Sequence, residues 1–197
     1  KVLIQEYNKD LLPDYLQFVQ GVVDSEDLPL SVSRESIQAT RIMASLKKTV
    51  TRKVMSELKR MVKNDREKYL KIFAEFGSFL KQGLVMAPED KTDIEPLLFF
   101  QTTHDDDVTK FYSLDDYVER MSDNQDDIYY VVADDYGSGK RSPHLDAFRQ
   151  RDIEVLYFTH PVDAMLPMGL SDYKGHKFVS VDSGDIDLSE LGEAEDP

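Results

Sequence analysis

From Ile42 to Leu80 the apolar residues recur every third or fourth position, and that spacing commits the stretch to helix. Ile42, Leu46, Val50, Val54, Leu58 and Met61/Val62 form one stripe with Lys and Arg opposite. Asn64-Asp65 interrupts and recaps the pattern, and Tyr69, Ile72, Phe73, Phe76, Phe79 and Leu80 form a second, aromatic stripe ended by Gly83. Pro88 and Asp90 introduce a third short helix through Ile94, Leu97, Leu98 and Phe100. Three successive helices predict an antiparallel coil that acts as a stalk between two other units. Such stripes are read as core, not as a cofactor site.

The flanks fit that division. Val2–Tyr7 alternates loosely and reads as a strand, and Asp14–Val19 reads as a short helix. One strand and one helix cannot bury their own faces, so they are expected to end a larger sheet layer whose earlier strands precede Lys1; the alternative is a small element packed on the rest. Beyond the helices, Gln101–Lys110 reads as a linker loop. Ser113 caps a helix with acids in its first turn. Ile128–Val132 and Ile153–Phe158 are apolar strands, and Ser142-Pro143 starts a helix between them. That order is a βαβ unit. A helix over Val162–Met168 and a third strand, Lys177–Val181, complete a small subdomain. The expected fold class is therefore α/β: the end of a larger αβα layer, a three-helix coil, then a small αβα subdomain with a short, mostly parallel sheet.

Charge narrows the partners. A net charge of −14 argues against nucleic acid, which needs a basic surface. The charge is uneven, because residues 41–81 hold 12 Lys or Arg against 4 Asp or Glu. That block is read either as a solvated helix face or as a contact for acidic surfaces. There is no cysteine, which removes disulfide and thiolate chemistry and fits a reducing compartment. No apolar run approaches the roughly 20 residues of a membrane span. The final sixteen residues, Asp182–Pro197, hold seven acids and no base, the profile of a flexible end or an interdomain linker. The chain opens at Lys1 without Met, so the true N-terminus is expected elsewhere.

Two motifs invite chemistry and fail. Gly137-Ser138-Gly139-Lys140 follows a strand and precedes a helix, as a phosphate loop does. Asp134 stands where a glycine is needed, Arg141 replaces the Ser/Thr that would hold Mg²⁺, and Asp134-Asp135 repels phosphate. A flexible loop is expected there. His104-Asp105-Asp106-Asp107 has hard-metal ligand types without the glycine-spaced pattern of a calcium loop. No metal site is expected.

The remaining candidate is the stretch Gly21-Val22-Val23-Asp24-Ser25-Glu26-Asp27-Leu28-Pro29-Leu30-Ser31-Val32-Ser33-Arg34-Glu35. Its arginine sits at a loop-to-helix junction, from which a guanidinium can reach phosphate with bidentate geometry. Gln38 lies one turn further on the same face, and Ser33 can cap the helix. Residue chemistry alone fits equally well a structural arginine paired with the neighbouring acids.

That stretch resembles the signature of the middle domain of the Hsp90 family of chaperones. Leu12-Pro13-Asp14-Tyr15-Leu16-Gln17-Phe18-Val19, Tyr112-Ser113-Leu114-Asp115-Asp116-Tyr117-Val118-Glu119-Arg120-Met121, Ser142-Pro143-His144-Leu145 and Ile153-Glu154-Val155-Leu156 follow in the family's order. The chain is similar to the bacterial and organellar branch of that family, with no long charged linker in view. Ser31 and Ser36-Ile37 depart from the usual pattern and bear on loop packing.

The resemblance implies a homodimeric, ATP-driven chaperone that assists client proteins. ATP and Mg²⁺ would sit in an N-terminal domain outside this chain, Arg34 would meet the γ-phosphate on closure, and Gln38 would support it. The fragment alone would be inactive and bind no cofactor. Residues 1–36 would then end the large αβα subdomain and carry the catalytic loop, 37–100 form the coil, and 101–181 the small subdomain. Residues 182–197 would be an acidic tail or a linker to a C-terminal dimerisation domain. The bacterial cytoplasm is the expected compartment, with a mitochondrion or other organelle as the alternative. Two other classes stay open: a stand-alone α/β interaction module and a small nucleotide-binding enzyme using Gly137–Lys140.

Overall fold

The computed structural model describes residues 6–26 and 37–191, with the backbone alone at 37–40 and 190. The chain divides into two compact units, Lys1–Ile72 and Phe73–Pro197.

In the first unit the main element is helix α1, Ile37–Asn64. Met55, Leu58 and Met61 are its buried residues, so the expected stripe is buried towards its C-terminal half, while Ile42, Leu46 and Val50 are only partly covered. Ahead of it, the predicted strand Val2–Tyr7 falls mainly outside the described residues, and Glu6 and Tyr7 form none. Asp14–Val19 shortens to a single 3-10 turn, Asp14–Leu16, in which Tyr15 and Leu16 are buried. Another turn, Lys9–Leu11, is capped by Asn8 Oδ1 accepting from the Asp10 N–H at 2.7 Å, and lies against α1. Helix α2, Arg66–Met86, begins after Asp65 and runs three residues past the predicted stop at Gly83.

The second unit is built on a four-stranded sheet. Two-residue strands β1 (Phe99–Phe100) and β2 (Tyr112–Ser113) pair antiparallel. Strand β3 (Ile128–Val132) lies between β4 (Val155–Phe158) and β6 (His176–Ser180), parallel to both, and β5 (Asp172–Tyr173) pairs antiparallel with β6 at the edge. The hairpin between β5 and β6 turns through Lys174 and Gly175, both at positive φ (49° and 89°), the conformation a two-residue turn needs.

Strands β3 and β4 are apolar on both faces because both faces are covered. Tyr129, Val131, Val155 and Tyr157 pack with Leu145 and Phe148 on one side. Tyr130 and Phe158 stack at 4.6 Å, and Phe100 meets Phe158 at 5.1 Å. Short helices α3 (Lys91–Ile94), α4 (Leu114–Arg120), α5 (Tyr136–Lys140), α6 (Asp146–Arg149) and α7 (Leu166–Gly169) complete a mixed α/β fold.

Helix α4 has the expected cap in full: Ser113 Oγ accepts from the Asp116 N–H and Asp116 returns the bond to the Ser113 N–H. Its Tyr117 hydroxyl donates to the Glu154 carbonyl at 2.7 Å and accepts from the Tyr129 N–H and Gln125 Nε2, both at 3.0 Å. Burial holds that hydroxyl far above the ordinary tyrosine range. One turn on, Arg120 grips Glu154 with two bonds of 2.8 and 2.7 Å.

Four expectations change. Phe100 belongs to a strand, not to the third helix, which breaks into turns around Lys91–Ile94. Gln101–Lys110 is no free linker, since Gln101–Thr103 lies along β4, bonded through Tyr157 N–H to Gln101 O and Thr103 N–H to Val155 O. Ser142 sits at an N-cap position but makes no side-chain cap. Within Asp182–Leu191, Ile186, Leu188 and Leu191 pack on the sheet core, so the described part of the acidic end is docked.

Candidate functional site

The arginine stretch is anchored at its entrance. Leu16 and Tyr15 are buried, and Gln17 Nε2 donates to the Leu12 carbonyl at 2.8 Å, closing the turn behind them. From Gly21 to Ser25 the chain has no regular structure; Val22 is 92% exposed, and a side chain at Gly21 would meet nothing within 4 Å. The stretch thus begins as surface chain, and the described residues resume at α1. Arg34 and Ser33 lie outside the described residues. Gln38 lies in the first turn of α1, and its side chain is likewise outside them. Along the rest of α1, Arg41, Lys47, Lys48, Arg52, Lys53 and Lys63 are exposed.

The rejected phosphate loop is not a flexible loop but helix α5. Asp135 caps it, accepting from the Ser138 N–H at 2.8 Å, so a carboxylate already fills the position an anion would take. Lys140 Nζ pairs with Asp106 Oδ1 at 2.7 Å, and Gly139 fits against Tyr157, where an added Cβ would lie 3.1 Å from the ring. These residues do not fit a nucleotide. The acidic run is used in the same local way: Asp105 accepts from the Asp107 N–H and the Tyr112 hydroxyl, and Asp107 from Thr109. Among the described residues no cluster of ligand types could hold a metal ion, and no helix is long and apolar enough to cross a membrane.

Two features were not singled out from the sequence. Lys81 is buried on the apolar face of α2, its Nζ 2.6 Å from Asp163 Oδ1 and 5.0 Å from the centre of the Phe100 ring. Burial pushes the lysine pKa down while Asp163 pulls it back up. The available signal was a lysine four residues after Gly77 and three before Leu84, on the helix's inward face. Beyond Asp163, the turn Pro161–Met165 and helix α7 expose Met165 (43%) and Met168 (78%), and Met86 at the end of α2 is 71% exposed. Buried Met55 and Met61 show that these exposures are not general to the methionines.

Residues 1–196 match a sequence model of the family described as Hsp90 protein. The chain belongs to the Hsp90 family. It is 42% identical over 196 residues to the chaperone protein HtpG of Halorhodospira halophila, covering all of this chain and 31% of that relative. With the HtpG of Yersinia pestis it shares 40% identity over 197 residues, 32% of that protein. The HtpG of Francisella tularensis subsp. novicida is 42% identical over 191 residues, 97% of this chain and 30% of the relative. The chain spans about a third of the length of these Hsp90-family chaperones.

Proposed function

We propose that this chain is the middle segment of an ATP-driven Hsp90-type chaperone. It supplies Arg34 to the γ-phosphate of ATP held, with its Mg²⁺, by an N-terminal domain, and it contributes to client-protein folding. The observation that carries this reading is the family match over residues 1–196, which takes in the whole stretch ending at Arg34 and Gln38. Arg34 stabilises the charge developing on the transferred phosphoryl group, and because it arrives only when the loop docks, it couples hydrolysis to closure. Gln38, one turn along, supports the loop. A C-terminal domain pairs two such chains, and the compartment is the bacterial cytoplasm.

Clients are contacted in part through Met165 and Met168. Flexible, polarisable thioethers on a surface adapt to varied apolar side chains, and these two stand out from the fold on adjacent turns.

The test is Arg34→Ala in the full-length protein. Turnover of ATP should fall by about a hundredfold or more, since arginine fingers contribute about 10³–10⁵ in rate, while nucleotide affinity stays near that of the unaltered protein. Unchanged turnover would remove the assignment. The isolated chain should hydrolyse no ATP.

A further inference from the structure

The Lys81–Asp163 pair stabilises the fold less than its distance suggests. Moving both charges out of water costs several kcal/mol per ion, and an apolar pair of the same volume commonly serves stability as well or better. What such a pair does supply is a single geometry. Here the geometry is specific on both sides. Lys81 is fixed between Asp163 and the rings of Phe100 and Phe73, at 5.0 and 5.7 Å. Asp163 uses its second oxygen to accept from the His160 N–H at 3.0 Å, which closes the turn Pro161–Met165. Six residues on, Gly169 rests against α2, where an added Cβ would lie 2.9 Å from the Leu84 carbonyl oxygen. The methionine-bearing segment is thus held to α2 at both ends, by an ion pair at Asp163 and by backbone contact at Gly169.

We infer that Lys81 and Asp163 act as a positioning clasp that sets the segment Pro161–Gly169 on helix α2 and so fixes how Met165 and Met168 are presented. The consequence for clients rests on the proposed reading of those methionines; the clasp itself rests on the geometry alone.

The test is the double variant Lys81→Met/Asp163→Leu in the full-length protein, which replaces the charges by apolar groups of similar size. Its melting temperature should fall only modestly, because apolar packing offsets the lost charges and the N–H of exposed His160, losing Asp163, can turn to water. On brief peroxide treatment, mass spectrometry should show Met165 forming sulfoxide about threefold faster relative to Met168, because a released turn uncovers the more sheltered thioether. Binding of reduced, carboxymethylated lactalbumin, a permanently unfolded chain, should weaken about tenfold. A folded double variant with the original oxidation ratio would overturn the clasp. A changed ratio with unchanged lactalbumin binding supports the clasp and removes the client reading of the two methionines. Should the double variant fail to fold, Asp163→Asn keeps the acceptor for His160 and drops the charge, and the same ratio decides.

Discussion

Replacing Tyr117 by Phe removes one oxygen and leaves the ring in place, so its effect can be worked from three bonds. The hydroxyl is the partner of the Tyr129 N–H, in a residue only 4% exposed. A buried donor left without a partner costs about 1–3 kcal/mol. The Glu154 carbonyl loses its 2.7 Å donor, worth about 1 kcal/mol. Gln125 loses least, because its Nε2 also donates to the Asp127 carbonyl at 2.8 Å. The sum is about 3 kcal/mol, or about 10 °C in melting temperature for a domain of this size. With no tryptophan in the chain, urea unfolding followed by far-UV circular dichroism is the suitable assay. The midpoint should fall at unchanged slope. A loss below about 0.5 kcal/mol would mean that the strand relaxes to pair its N–H elsewhere, and the hydroxyl would then be no hub.

Two further perturbations follow from buried contacts. Burial raises the Glu95 carboxyl above its ordinary 4.5, with Lys91 opposing. The folded chain therefore binds that proton more tightly than the unfolded one, so the favourable contribution is complete below about pH 4.5 and is lost as pH rises through the folded value. Glu95→Gln should accordingly melt higher than the original at about pH 8 and lose that advantage at about pH 4; equal melting at both would refute the burial argument. Gly169→Ala should destabilise by about 1–3 kcal/mol, because the new methyl meets the Leu84 backbone, which cannot rotate away; a gain in thermal stability, as helix propensity alone predicts, would show that α7 shifts freely.

Local signals were legible where the chain carries its own partner. Ser113 and Asp116 satisfy each other three residues apart, and the apolar runs of β3 and β4 needed only covering. Strands β1, β2 and β5 have two residues each, β1 pairing with β2 across Gln101–Phe111 and β5 with β6 across the turn at Lys174 and Gly175, and runs that short leave no periodicity to read. Helix α5 contains two glycines in five residues, so propensity argues against it; the Asp135 cap and the fit of Gly139 on Tyr157 outweigh that. The acidic composition of Asp182–Leu191 hid the spacing of Ile186, Leu188 and Leu191, which docks it. Of the candidate site, the rigid entrance at Tyr15 and Leu16 was readable as apolar residues, whereas Arg34 became meaningful only through resemblance. Lys81 was visible as an inward lysine, but its partner lies 82 residues away.

The edges of the sheet bear on how such a protein could meet an unfolded chain. On one side β4 is already flanked by Gln101–Thr103, and on the other β5 offers two residues before the turn at Lys174. An incoming strand would find almost no row of free backbone donors and acceptors to pair with. Backbone pairing is indifferent to sequence and hard to reverse when long, which would turn a handler of unfolded polypeptides into a template for their aggregation. With those edges closed among the described residues, the proposed capture of clients would run through side chains, whose contacts are individually weak and can be released one at a time.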